Sequence, residues 1–169
     1  MYGSFQAELR RRYRSEGVRA LPGAELAFGA LRAAGIRVAL NTGFDQEITG
    51  MLLEVLGWAH GQVDAVVCGD QVAQGRPAPY LIFRAMEAAG CWRVRGVANV
   101  GDTALDLQAG DHAGVRWNIG VLSGAHDRRT LEGAPHTHLL GGVAEVAALW
   151  GLSPEPEAPP PAAVSLPPG

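Results

Sequence analysis

The chain has 169 residues, 47% apolar and 18% charged, which is ample for a packed core and too little charge for a disordered polypeptide. Its formal charge of −3 excludes a dedicated nucleic-acid binder, which needs a basic excess to neutralise phosphates. There is no lysine, so the 14 positive charges are all arginine and the chain supplies no Schiff-base amine.

From the N-terminus, Phe5, Leu9 and Tyr13 recur near helical spacing and predict an amphipathic helix over 4–15. The Arg-rich start has no hydrophobic h-region, so it is not a secretory signal. Leu21-Pro22-Gly23 reads as a turn, and Ala24 to Ala34 as a helix with Gly35 at C′. An apolar run from Ile36 to Leu40 predicts a strand ending in Asn41-Thr42-Gly43, and Asp45 caps a helix to about Leu56, closed by Gly57. Ala65 to Val67 reads as a second strand. A loop through Gly69 and Gly75 to Arg76-Pro77 follows it, and Pro79 sits near the start of a helix ending at Gly90.

Val97 to Val100 is the next expected strand, with Gly101-Asp102-Thr103 opening a helix to about Ala113. Ile119 to Leu122 and His138 to Leu140 read as strands, His126 to Leu131 and Val143 to Trp150 as helices. Seven of the eleven prolines fall between Ser153 and Gly169, so this stretch reads as a flexible tail. Short apolar strands alternating with helices predict an α/β fold, an open and mostly parallel sheet covered on both faces. No apolar run reaches the ~18 residues of a membrane span. Cys68 and Cys91 read as buried thiols of a reducing compartment, which together predicts a cytoplasmic protein with no membrane partner.

In open parallel sheets ligands bind beyond the carboxyl ends of the strands, so the residues just after each strand carry the chemistry. Thr42 and Gly43 follow the first strand at a helix N-terminus, where a hydroxyl beside free N–H groups suits an anion; Thr42 could equally cap the helix. Asp102 and, four residues on, Asp106 follow the third strand, and paired carboxylates there suit a hydrated Mg²⁺. As an N-cap and a first-turn charge they would need no metal. Arg76, in the loop between these sites, could clamp a phosphoryl group.

That ordered set resembles the haloacid dehalogenase (HAD) superfamily, more narrowly its phosphonatase-like branch. Leu40-Asn41-Thr42-Gly43-Phe44 is similar to the family's second motif, Gly75-Arg76-Pro77-Ala78-Pro79 to its third, and Asn99-Val100-Gly101-Asp102-Thr103 with Asp106 to its fourth. The resemblance covers roughly residues 1–150. It implies that Thr42, Gly43 and Arg76 bind the phosphoryl group, that Asp102 binds Mg²⁺ with Asp106 in support, and that catalysis rests on Thr42, Arg76 and Asp102. The implied substrate is a small phosphorylated or phosphonate metabolite, acted on by a Mg²⁺-dependent hydrolase. A homodimer is also compatible with it.

The family's first motif, an Asp-x-x-Gly-Thr strand whose aspartate accepts the phosphoryl group, has no match. Asp45 follows the wrong strand, and Asp64 and Asp70 lack the Gly-Thr context. Residues 1–20 resemble the last helix and linker of a helical cap, leaving 21–152 as an incomplete α/β core and 153–169 as the tail. In the family that missing strand is central, between the strands before Thr42 and Asp102. The sequence therefore predicts two facing sheet edges, a chain of marginal stability and a Met1 internal to a longer protein, inactive alone. The alternative is a non-catalytic anion-binding or scaffolding remnant of the fold. His126, His136 and His138 have weak zinc-like spacing and read as surface loop, and the four tryptophans read as core or rim residues.

Overall fold

The computed structural model describes residues 17–152; the helix expected over 4–15 and the proline-rich tail lie outside them. Five strands and five helices alternate through the described residues: α1 (Ala24–Ala33), β1 (Ala39–Asn41), α2 (Gln46–Leu56), β2 (Ala65–Val67), α3 (Tyr80–Ala88), β3 (Ala98–Gly101), α4 (Ala104–Ala113), β4 (Trp117–Val121), α5 (Arg128–Glu132) and β5 (His138–Leu140). Every strand pairing is parallel, which gives the expected α/β class.

The strands form two sheets rather than one. Among the described residues β1 pairs only with β2, while β3, β4 and β5 form the second sheet in that order. Among the described residues no strand pairs with the outer edge of β1 or of β3, and these are the two edges expected to face each other. Val100 of β3 is 37% exposed, although the apolar strands of a parallel sheet are normally buried on both faces.

Helices tie the halves together across both faces. Strand side chains alternate sides, so Ala39 of β1 packs with Val67, Leu81 and Ala85 under α3, while Val38 and Leu40 pack with Phe28 and Leu31 of α1. The α1 cluster also takes in Val121 of β4, Leu140 of β5, Val146 and Ala147, so it spans both sheets. On the opposite face Ile82 of α3 meets Ala109 and Ala113 of α4, while Leu107 of α4 packs with Leu131 and Leu139. Burial of each fully enclosed leucine contributes about 1.5–3 kcal/mol, and these clusters join what the strand ladders leave apart.

Some boundaries differ from expectation for local reasons. β1 begins at Ala39 rather than Ile36, because the Ile36 amide bonds the Leu31 carbonyl that ends α1. The Val38 amide donates to the Asp64 carboxylate at 2.8 Å instead of a ladder carbonyl. α5 starts only at Arg128, where the Asp127 side chain accepts from the Thr130 amide. The helix expected over 143–150 is two 3₁₀ turns, Val143–Glu145 and Ala147–Trp150. Cys68 is buried as expected, but Cys91 is only half-buried. Trp92 is 90% exposed rather than a core or rim residue, while Trp58 meets Phe28 edge-on at 5.4 Å between ring centroids. No helix among the described residues is long and apolar enough to cross a membrane.

Candidate active site

Thr42 and Gly43 lie directly beyond the end of β1. The Thr42 amide donates to the Val67 carbonyl at 3.0 Å, continuing the ladder one residue past the strand. The Thr42 hydroxyl accepts from the Phe44 amide at 3.2 Å, which turns the chain toward α2. The cap of α2 is Asp45, whose Oδ1 accepts from the Ile48 amide at 2.8 Å. The helix-cap alternative for Thr42 therefore falls away, since Asp45 does that work.

The chain at Gly43 is closely approached from two sides. A Cβ there would lie 3.2 Å from Nη2 of Arg76, and a Cβ on Gly69 would meet the Gly43 carbonyl oxygen at 2.5 Å. Arg76 leads into a cis peptide bond with Pro77, and the Pro77 carbonyl bonds Nδ1 of His112 on α4 at 2.8 Å. The guanidinium of Arg76 pairs with Oδ1 of Asp106.

Asp106 is 6% exposed, and both of its oxygens are used. Its Oδ2 accepts from the Thr103 amide at 2.9 Å and from the Thr103 hydroxyl at 2.6 Å, while the Asp106 amide donates back to Thr103 at 3.2 Å. This reciprocal capping box starts α4. Gly101 lies so close to Asp106 that any Cβ would overlap it. Asp106 therefore holds Arg76 and the helix start, with a hydrogen bond to each of its oxygens.

Asp102 is different. Its Oδ2 accepts from the Ala125 amide at 2.7 Å and its carbonyl from the His126 amide at 3.1 Å. Its Oδ1 has no hydrogen bond within the described residues, leaving one hard oxygen donor at the strand end. Among the described residues no group of three or more His, Cys, Asp and Glu side chains could enclose a metal. The fit to Mg²⁺ is thus that of a single carboxylate, which suits an ion that keeps several waters and demands few protein ligands.

Sequence reasoning missed the groups that hold these residues in place. Asn99 on β3 and Asn118 on β4 are 7% and 4% exposed and bond each other at 2.9 Å. Asn99 Nδ2 donates to the Asp106 carbonyl at 3.0 Å, and Asn118 Nδ2 to those of Leu107 and Pro135 at 2.7 and 2.8 Å. Asn99 in the apolar pattern of the predicted strand Val97 to Val100 is the available signal, because a buried amide must find partners, whereas Asn118 precedes the strand predicted from Ile119. The three aspartates weighed as nucleophiles have structural partners. Asp45 caps α2, Asp64 bonds the Val38 amide, and Asp70 accepts from Gln46 at the start of α2. The three histidines are engaged separately, His126 with Ala104, His136 with Ala134 and His138 with Thr137.

The family model for haloacid dehalogenase-like hydrolases matches residues 4–114, which contain Thr42, Gly43, Arg76, Asp102 and Asp106. The chain belongs to that family. It is 33% identical over 101 residues to the phosphonoacetaldehyde hydrolase of Paraburkholderia xenovorans, an alignment covering 60% of this chain and 38% of that relative. The chain thus spans well under half the length of this curated relative. A hydrolase from Pseudomonas syringae superposes with a TM-score of 0.74 at 22% identity, covering 84% of this chain and 63% of its own. CbbY from Rhodobacter sphaeroides, solved in complex with phosphate, superposes with a TM-score of 0.66 at 25% identity, over 79% and 59%. The family membership and the phosphonatase-like affinity expected from the motifs are both supported by these matches.

Proposed function

We propose that the chain forms the phosphoryl-binding and cation-binding part of a HAD-type hydrolase acting on a small phosphorylated or phosphonate metabolite. The observation that carries this reading is the line Gly43–Arg76–Asp106–Thr103, which runs from the end of β1 to the start of α4 and ends beside Asp102. It brings a hydroxyl, a cation and a carboxylate to one edge of the molecule. The phosphate bound by CbbY and the activity named for the phosphonoacetaldehyde hydrolase relative point the same way.

In this reading Thr42 and the backbone at Gly43 donate to phosphoryl oxygens, and Arg76 neutralises charge on them. Asp102 would hold Mg²⁺, which when bound supplies further neutralisation of the phosphoryl group. Catalysis of this kind is mainly positioning and electrostatics. Covalent transfer also needs an acceptor, and none of Asp45, Asp64 or Asp70 is open for that role. The acceptor aspartate would come from a strand seated between the outer edges of β1 and β3, so the 169-residue chain alone would bind phosphate without turning over a phosphomonoester.

The test is thermal stability of the purified chain with inorganic phosphate and Mg²⁺, alongside a phosphomonoester assay. Phosphate-dependent stabilisation that Arg76→Ala abolishes, without turnover, is the expected result. No phosphate effect would remove the reading, and Mg²⁺-dependent turnover would place the acceptor within this chain. Binding without catalysis is also what a non-catalytic remnant of the fold would show. The two separate when an aspartate-bearing strand peptide is added, since only the enzyme reading predicts that turnover appears.

A further inference from the structure

Residue 126 grips the β3–α4 junction at two points. Its backbone amide donates to the Asp102 carbonyl at 3.1 Å, and its ring Nδ1 accepts from the Ala104 amide at 3.0 Å. Ala104 is the first residue of α4, whose first-turn amides have no partner within the helix. One side chain thus caps the helix start while its own backbone holds the residue two positions before it. The neighbouring Ala125 amide fixes Oδ2 of Asp102 at 2.7 Å. Gly124 completes the turn, lying so close that any Cβ there would overlap the Asp102 carboxylate.

From this geometry we infer that His126 is a positioning residue for Asp102, aiming its unbonded Oδ1 at a divalent cation. The inference rests on the reading of Asp102 as the cation-binding carboxylate. His126 does not touch the cation. Its Nδ1 accepts from the Ala104 amide, and it acts by locking the Gly124–His126 turn against the strand end. Without the ring acceptor the Ala104 amide loses its partner, the turn loses one of its anchors, and the Asp102 carboxylate gains rotational freedom. Loss of a direct hydrogen-bond partner of a ligand typically weakens metal binding by about 10–100-fold, and His126, acting one step further out, is expected at the lower end of that range.

The test is Mn²⁺ titration of the full 169-residue chain, read by electron paramagnetic resonance of free Mn²⁺, with Asp102→Asn defining the binding that belongs to this site. His126→Ala is expected to weaken that binding by about tenfold or more. His126→Asn places an amide oxygen where Nδ1 stands and is expected to restore affinity to about the original value. Circular dichroism of each variant shows whether the fold is retained. His126→Ala binding as tightly as the parent chain overturns the inference while leaving the cation reading intact. Failure of folded His126→Asn to restore affinity overturns it as well, and decides the matter alone if His126→Ala does not fold. Equal Mn²⁺ binding by the parent chain and Asp102→Asn overturns the cation reading, and this inference with it.

Discussion

Arg76 and Asp106 form an ion pair across 30 residues of sequence, joining the loop that follows β2 to the first turn of α4. Each residue follows a strand of a different sheet, β2 and β3, and the ladders do not connect the two sheets. The pair therefore holds the half of the candidate site that carries Thr42 and Gly43 against the half that carries Asp102. Asp106 is nearly enclosed, whereas the Arg76 side chain is 30% exposed.

Removing either partner should cost stability. Arg76→Ala leaves the Asp106 carboxylate in a poorly hydrated place with one oxygen unmatched. Loss of a fully buried partner costs about 3–5 kcal/mol, and partial exposure of Arg76 reduces that to about 1–3 kcal/mol. Urea denaturation of Arg76→Ala and Asp106→Asn measures it. Asp106→Asn should fall in the same range, since its amide cannot accept from Arg76 and Thr103 as the carboxylate does.

The buried amide pair should be less forgiving. Asn118→Leu leaves the Asn99 amide and two carbonyls without their partner, at about 1–3 kcal/mol for each group left unsatisfied. Gly110→Ala should be comparably harmful, because a Cβ there would overlap the Asn118 side chain. Thermal unfolding of both variants checks this, and tolerance of either would show that the network relaxes easily.

Acid should loosen the start of β1. The Asp64 carboxyl is held below the usual aspartate range by its hydrogen bond from the Val38 amide, with Arg32 3.3 Å away assisting. A lowered folded-state value stabilises the protein above the unfolded value, ~3.9 for aspartate. That contribution is lost as pH falls from there through the folded value. Asp64→Asn keeps an oxygen for the Val38 amide but does not titrate. Its stability should therefore fall less than that of the parent chain across that acid window, as followed by circular dichroism.

The outer edges of β1 and β3 should make the purified chain prone to association. Exposed edges carry unused backbone donors and acceptors that template pairing with another chain. Light scattering at rising protein concentration is expected to show self-association, and a concentration-independent monomer would contradict it. An added apolar strand peptide that seats between the edges should suppress it.

Much of this protein was legible from one sequence because its signals are local. Glycines and capping residues punctuate the chain, so Gly35, Gly57 and Asp45 set element ends whatever the tertiary context, although the cap of α4 is Thr103 and not Asp102. The alternation of apolar runs gives the parallel α/β class, and the order of Thr42, Arg76 and Asp102 gives the family.

Tertiary structure alone decided which partner each polar group takes. Asp102 and Asp106 look alike in sequence, two acids one helical turn apart. Only packing shows that Asp106 is used by Arg76 and Thr103 while Asp102 keeps an open oxygen. His126 reads as a surface loop residue until the fold brings it to Ala104, 22 residues earlier. Hydrogen bonds between distant segments depend on how helices and strands settle against one another, and no local pattern encodes that meeting.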